Sequence, residues 1–103
     1  MLEYTAPVHD MRFVINELIG LSSVRELNGF DDVSEDLVNA VLEEASKLAT
    51  EVLAPLNRSG DIEGCRQDGD AVFTPKGWRA AYEAFCEGGW NGLDMDPRYG
   101  GQG

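Results

Sequence analysis

The residues able to do chemistry are few and poorly grouped. His9 is the single histidine of the 103-residue chain. A histidine metal cluster is therefore impossible, and a nucleophilic triad would need His9 to meet a Ser or Cys and a carboxylate for which no local motif exists. The two cysteines, Cys65 and Cys86, stand 21 residues apart and lack the paired spacing of a zinc site; they could form one disulfide, but read better as two free cytosolic thiols. Asp94-Met95-Asp96-Pro97 resembles the start of a calcium loop, but Arg98 occupies the fifth position and no Glu follows. The pairs Asp31-Asp32 and Asp94/Asp96 could exchange protons only inside a cleft; caps, turns and solvated faces account for them at less cost. Gly100-Gly101-Gln102-Gly103 lacks the Lys and Ser or Thr that a phosphate loop requires. No catalytic, cofactor-binding or metal-ligating residue is assigned.

The elements that would have to position such residues are helical. Asp10 is placed to cap a first helix from about His9 or Asp10 to Ile19, with Pro7 just upstream and Gly20 as its stop. Met11, Val14, Ile15, Leu18 and Ile19 form its apolar face. Ser34 caps the strongest helix, with Glu35 and Asp36 at its positive end. Leu37, Val38, Val41, Leu42, Ala45, Leu48, Ala49, Val52 and Leu53 recur along it at helical spacing, and Pro55 is expected to end it at or before Ala54. Residues 56–73 carry turn formers and read as loop, with Ala71-Val72-Phe73 a brief extended piece. Thr74-Pro75 then reads as a cap and first turn. The stripe Trp78, Ala81, Tyr82, Phe85 marks a third helix, stopped by Gly88-Gly89. The tail through Gly103 has no regular period and looks cut rather than finished. The expectation is an all-α fold: three main helices plus glycine-rich loops.

Net charge is −11, from 8 Lys or Arg and 19 Asp or Glu. Phosphate backbones and anionic membranes demand the opposite balance. Solubility or a basic partner surface suits it better. Met1-Leu2-Glu3-Tyr4-Thr5 has no basic and apolar leader pattern, and no apolar run reaches the length of a membrane helix. The chain is therefore expected to be cytoplasmic.

Several segments carry a resemblance. Tyr4-Thr5-Ala6-Pro7 with the stretch Asp10 to Glu17 resembles the N-terminal extension of the large-subunit class of acyl-CoA dehydrogenases, a class that includes methylmercaptopropionyl-CoA dehydrogenases. Ala54-Pro55-Leu56-Asn57, Gly60-Asp61 and Gly64-Cys65 resemble the turn after that family's first long helix. Gly88-Gly89-Trp90-Asn91-Gly92-Leu93, Pro97 and Tyr99-Gly100-Gly101-Gln102-Gly103 resemble the stretch closing its early helical region. The match runs over nearly the whole chain.

The resemblance implies a parent of several hundred residues with an N-terminal helical domain, a middle β domain and a C-terminal bundle. It implies FAD between the last two, a Glu base in the C-terminal part, hydride transfer to the flavin, an acyl-CoA substrate, an electron-transfer flavoprotein as acceptor, and a homo-oligomer. Residues 1–30 would be the extension and 31–103 the first part of the helical domain, truncated at its C-terminus. No residue here matches the catalytic Glu, so the fragment alone is expected to be inactive and to bind no FAD. The competing reading is a stand-alone acidic helical protein-interaction module.

Overall fold

A computed structural model describes residues 3–103; Met1 and Leu2, the start of the expected extension, lie outside the described residues. The chain divides into two compact units, Met1–Glu51 and Val52–Gly103.

In the first unit, helix α1 spans Val8–Phe13 and passes into a π-helical turn, Val14–Ile19. The helix starts earlier than the sequence predicts, and Asp10 does not cap it. Pro7 holds the cap position, its carbonyl accepting the Met11 N–H at 3.0 Å. A proline lacks an N–H, so it adds no donor of its own to the unpaired ones of the first turn when the helix begins directly after it. Asp10 instead places its charge in the first turn. Gly20 ends the run as expected, with φ 83° and its N–H on the Ile15 carbonyl, five residues back, at 3.1 Å. A short helix α2, Leu21–Arg25, follows. It buries Leu21.

Helix α3 spans Glu35–Lys47. Ser34 caps it as predicted: its backbone is extended and its Oγ accepts the Leu37 N–H at 3.1 Å. The Arg12 guanidinium reaches from α1 to the Glu43 carboxylate at 2.7 Å. Around this pair Arg12 Nε, Asn16 Oδ1 and Asn39 Oδ1 are buried without a hydrogen-bond partner.

Pro55 does not end the helical run. A second π-helical turn, Leu48–Leu53, leads straight into α4, Ala54–Glu63, with Pro55 in its first turn. The physical reason is position: Pro55 stands in the first turn of α4, where the N–H that proline lacks breaks no bond within that helix. The division between the two units falls inside this turn.

The second unit also replaces most of the expected loop. Beyond α4, strands β1 (Arg66–Asp68) and β2 (Ala71–Phe73) pair antiparallel, with Arg66 opposite Phe73, Gln67 opposite Val72 and Asp68 opposite Ala71. Their two-residue link is Gly69-Asp70. Only Gly69 has positive φ (63°), as a type II′ turn requires. The Arg66 guanidinium lies 4.8 Å from the Phe73 ring centre.

Helix α5 spans Trp78–Glu87, starting later than Thr74-Pro75 predicts. Gly77 holds the cap position at φ 88°, ψ −15°. The Lys76 N–H is drawn to the Glu63 carboxylate at 3.0 Å, and Lys76-Gly77 form a turn, closed by the Trp78 N–H on the Pro75 carbonyl at 3.2 Å, in place of a first helical turn. Gly88 and Gly89 end α5 as expected, Gly89 at φ 77°.

The tail is ordered, although it lacks a sequence period. It makes two 3₁₀ turns, Trp90–Gly92 and Pro97–Tyr99, and closes on itself. The Gln102 N–H meets the Gly92 carbonyl at 2.8 Å and the Gly103 N–H the Met95 carbonyl at 2.9 Å. Gly101 packs so tightly on the Met95 backbone that no side chain fits there.

The fold is predominantly helical, as expected, but its core is thin. Among the described hydrophobic residues only Leu21 and Ala81 are buried. The accessible surface is 8361 Å². Two separate compact globules of half this mass would expose only about 6,900 Å² between them. The apolar stripes are only half covered: Val38, Val41, Leu42 and Phe85 are half-buried, while Leu37, Trp78 and Tyr82 stay exposed.

Candidate functional site

A concavity of the second unit lies between α5 and the stretch from Leu53 into α4. Leu53, Leu56 and Asn57 form one wall and Trp78, Ala81, Tyr82 and Phe85 the other, around about 310 Å³. The stripe predicted for the third helix supplies the second wall. The first wall is not legible in the sequence, because Pro55 signals a helix end and Gly60 a turn. The helical spacing of Leu53, Leu56 and Asn57, set aside at the proline, was the available signal.

Two glycines set the width of this cleft. Gly60 on α4 faces the Trp78 indole so closely that a Cβ would stand 2.7 Å from Cε2 and Cζ2. Gly77 sits against Leu56, where a Cβ would lie 2.9 Å from Cδ2. The aromatic wall is ordered by Tyr82 and Phe85, their rings stacked at 6.4 Å. The Cys86 side chain beside the Tyr82 hydroxyl holds that phenol above its usual pKa. Nothing else in the cleft titrates.

The first unit has a shallower groove of similar volume, about 310 Å³, lined by Asp10, Met11, Val14, Ile15 and Leu42. Both concavities are apolar and open. They can hold apolar side chains; they have no nucleophile, acid–base pair or oxyanion donors with which to make or break bonds.

The motifs that sequence inspection singled out stay apart. His9 lies exposed on α1. Cys65 is exposed before β1 and Cys86 half-buried on α5, both as free thiols. Asp96 caps the last 3₁₀ turn, its Oδ1 accepting the Arg98 N–H at 2.8 Å and its Oδ2 the Arg98 Nη2–H at 2.7 Å. These contacts hold the Asp96 carboxyl below the usual carboxylate range and raise the Arg98 guanidinium. Among the described residues no three His, Cys, Asp or Glu are grouped to hold a metal ion. Nor is any helix long and apolar enough to cross a membrane.

The glycine-rich tail is a place where a phosphate-bearing cofactor could be sought. The Gly100, Gly101, Gln102 and Gly103 N–H groups are all donated to carbonyls of the same segment, those of Pro97, Asp96, Gly92 and Met95. The Gly101 position is filled by the Met95 backbone. The Gly100–Gly103 end does not fit a flavin pyrophosphate, because its four amides are already donated.

Comparison with known proteins gives a consistent result. No protein-family model matches the chain. It is similar to 3-methylmercaptopropionyl-CoA dehydrogenase of Ruegeria pomeroyi, 35% identical over 102 residues, covering 99% of this chain and 17% of that protein. It is also similar to butyryl-CoA dehydrogenase of Syntrophomonas wolfei, 29% identical over 84% of this chain and 15% of the relative. A third similarity is to a broad-specificity linear acyl-CoA dehydrogenase of Mycobacterium tuberculosis, 28% identical over 98% of this chain and 17% of the relative. The chain thus spans about a sixth of the length of the relatives it matches.

Proposed function

We propose that this homologue of the acyl-CoA dehydrogenases is the N-terminal helical part of a flavin-dependent enzyme that introduces an α,β double bond into an acyl-CoA thioester. In that reading residues 1–30 form an extension, and residues 31–103 begin the N-terminal helical domain. The carrying observation is the similarity to three such dehydrogenases, two of them over nearly the whole of this chain, with the match confined to 15–17% of each relative.

Two structural features support the reading. The surface exceeds what two compact globules would expose, and the cleft walled by Leu53, Leu56, Trp78 and Phe85 is apolar and uncovered. A helical layer designed to lie against further protein would look this way. The tail's spent amides agree with a flavin held elsewhere in the protein. These 103 residues then act as scaffold and carry out no catalysis alone. The full protein would be a cytoplasmic homo-oligomer using FAD, with acyl-CoA as substrate and an electron-transfer flavoprotein as acceptor.

The test is the protein encoded by the whole parent gene. It should purify with flavin's visible absorbance, and that band should bleach when an acyl-CoA is added without oxygen. A parent lacking a β domain and a downstream Glu, or flavin that no acyl-CoA bleaches, would refute the proposal.

A further inference from the structure

The first unit has a surface that the proposed reaction does not use. Its groove of Met11, Val14, Ile15 and Leu42 continues into Leu18, 74% exposed and one turn beyond Val14. Phe13 and Ile19 flank it at 61% and 60% exposure. That is a continuous apolar strip along α1 and its π turn. Unpaired, it costs solvation free energy, and strips of this kind mark sites of protein association.

Charge says what kind of partner fits. The unit holds eleven Asp or Glu and three Lys or Arg. Two of the three cations are already engaged, Arg12 with Glu43 at 2.7 Å and Lys47 with Glu44 at 2.6 Å. Among the described residues of the unit only Arg25 is left against nine carboxylates. Asp10 lies in the groove itself and Glu17 on the turn that carries Leu18. A second copy would bring the same negative excess to the contact. An anionic membrane would be repelled likewise. An apolar ridge flanked by Lys and Arg would be attracted and would seat its side chains in the groove.

We propose that this groove docks a basic amphipathic helix of another protein chain, with aliphatic residues set between Met11, Val14, Ile15 and Leu42 and cations facing Asp10 and Glu17. The inference does not depend on the enzymatic reading, since it uses only the first unit's shape and charge.

The test uses the 103-residue chain and two synthetic peptides, one with Leu and Lys at helical spacing and one with Leu and Glu. The Leu/Lys peptide should bind, and its amide shifts should map to Val14, Ile15, Leu18 and Leu42. The Leu/Glu peptide should not bind. Raising salt should weaken the complex. Leu18→Gln and Val14→Gln remove apolar contact without altering charge, and each should weaken binding about tenfold or more. Tyr82→Gln in the other unit should leave it unchanged.

Shift mapping on the unaltered chain keeps the test valid even if a groove variant fails to fold. Equal binding of both peptides would overturn the proposal. So would shifts spread over the acidic residues without the groove, or equal loss in Tyr82→Gln. Sedimentation showing dimers held through this groove would overturn it as well, by making the occupant a second copy.

Discussion

Substituting Gly60 by Ala sets two effects of known sign against each other. In an exposed helix interior the change should stabilise by about 1 kcal/mol, because glycine is a poor helix former. Here the new methyl would stand 2.7 Å from Cε2 and Cζ2 of Trp78, with Nε1 also in the way. Ordinary carbon contacts lie near 3.5–4.0 Å, so the indole would have to retreat by about 1 Å. A ring edge is not the end of a flexible chain, and several ring atoms are blocked at once. Overpacking of this kind costs about 1–3 kcal/mol, and the number of atoms involved puts this case toward the upper end. The net expectation for Gly60→Ala is a loss of about 1–2 kcal/mol.

The Trp78→Ala background isolates the cause. With the indole gone only the propensity gain remains, so Gly60→Ala should become stabilising by about 1 kcal/mol. Urea denaturation followed by circular dichroism on the four chains of this double-mutant cycle gives both numbers. An increase in stability from Gly60→Ala in the original chain would refute the reasoning. An equal loss in both backgrounds would refute it too, because the cost could not then come from the indole.

Other consequences follow from individual contacts. Ser34→Ala removes the acceptor of the Leu37 N–H and should lower stability by about 1 kcal/mol, measurable by the same denaturation. Gly101→Ala should open the tail, because a backbone cannot yield as a side chain can; faster hydrogen exchange at the Gln102 and Gly103 amides would report it. Arg98→Gln should raise the Asp96 titration midpoint in a carbon-detected pH series, since the guanidinium hydrogen bond is the chief cause of its depression. A depressed folded pKa adds stability above the unfolded value and loses it as pH falls through the folded one, so the Pro97–Tyr99 turn should loosen on acidification. Cys86→Ala should bring the Tyr82 phenol down toward its ordinary value, visible in its ultraviolet titration.

The parts of the fold that could be read in advance are those whose cause is local. Ser34 followed by Glu35 and Asp36 sets the start of α3 without help from elsewhere. The spacing of Trp78, Ala81, Tyr82 and Phe85 locates α5, and Gly20 and Gly88-Gly89 stop helices where expected. Misreadings arose where two local rules compete. Pro55 signals a stop in an α-helix interior but is accepted in a first turn, and the residues alone do not announce the π turn after which α4 starts. Thr74 is a good cap, yet the Glu63 carboxylate takes the Lys76 N–H and Gly77 accepts the left-handed cap position. Helix α2 is too short to show a period. Strand β1, Arg66-Gln67-Asp68, has no apolar residue to alternate and is defined only by its pairing across Gly69-Asp70. The cleft was half legible for the same reason: one wall is a periodic stripe, the other lies beyond a proline.

The hairpin between α4 and α5 has a practical consequence. Every residue of both strands is exposed, and the strands pair only with each other. Just outside them, the Glu63 carboxylate and the Lys76 N–H join the two ends of the excursion at 3.0 Å. The chain between is a closed side trip that begins and returns at one clamp. Closing a longer loop costs only about 0.6 kcal/mol for each doubling of its length. A peptide tag or small reporter domain inserted between Gly69 and Asp70 should therefore be carried without disturbing the cleft, which makes this tip the natural handle for labelling the protein.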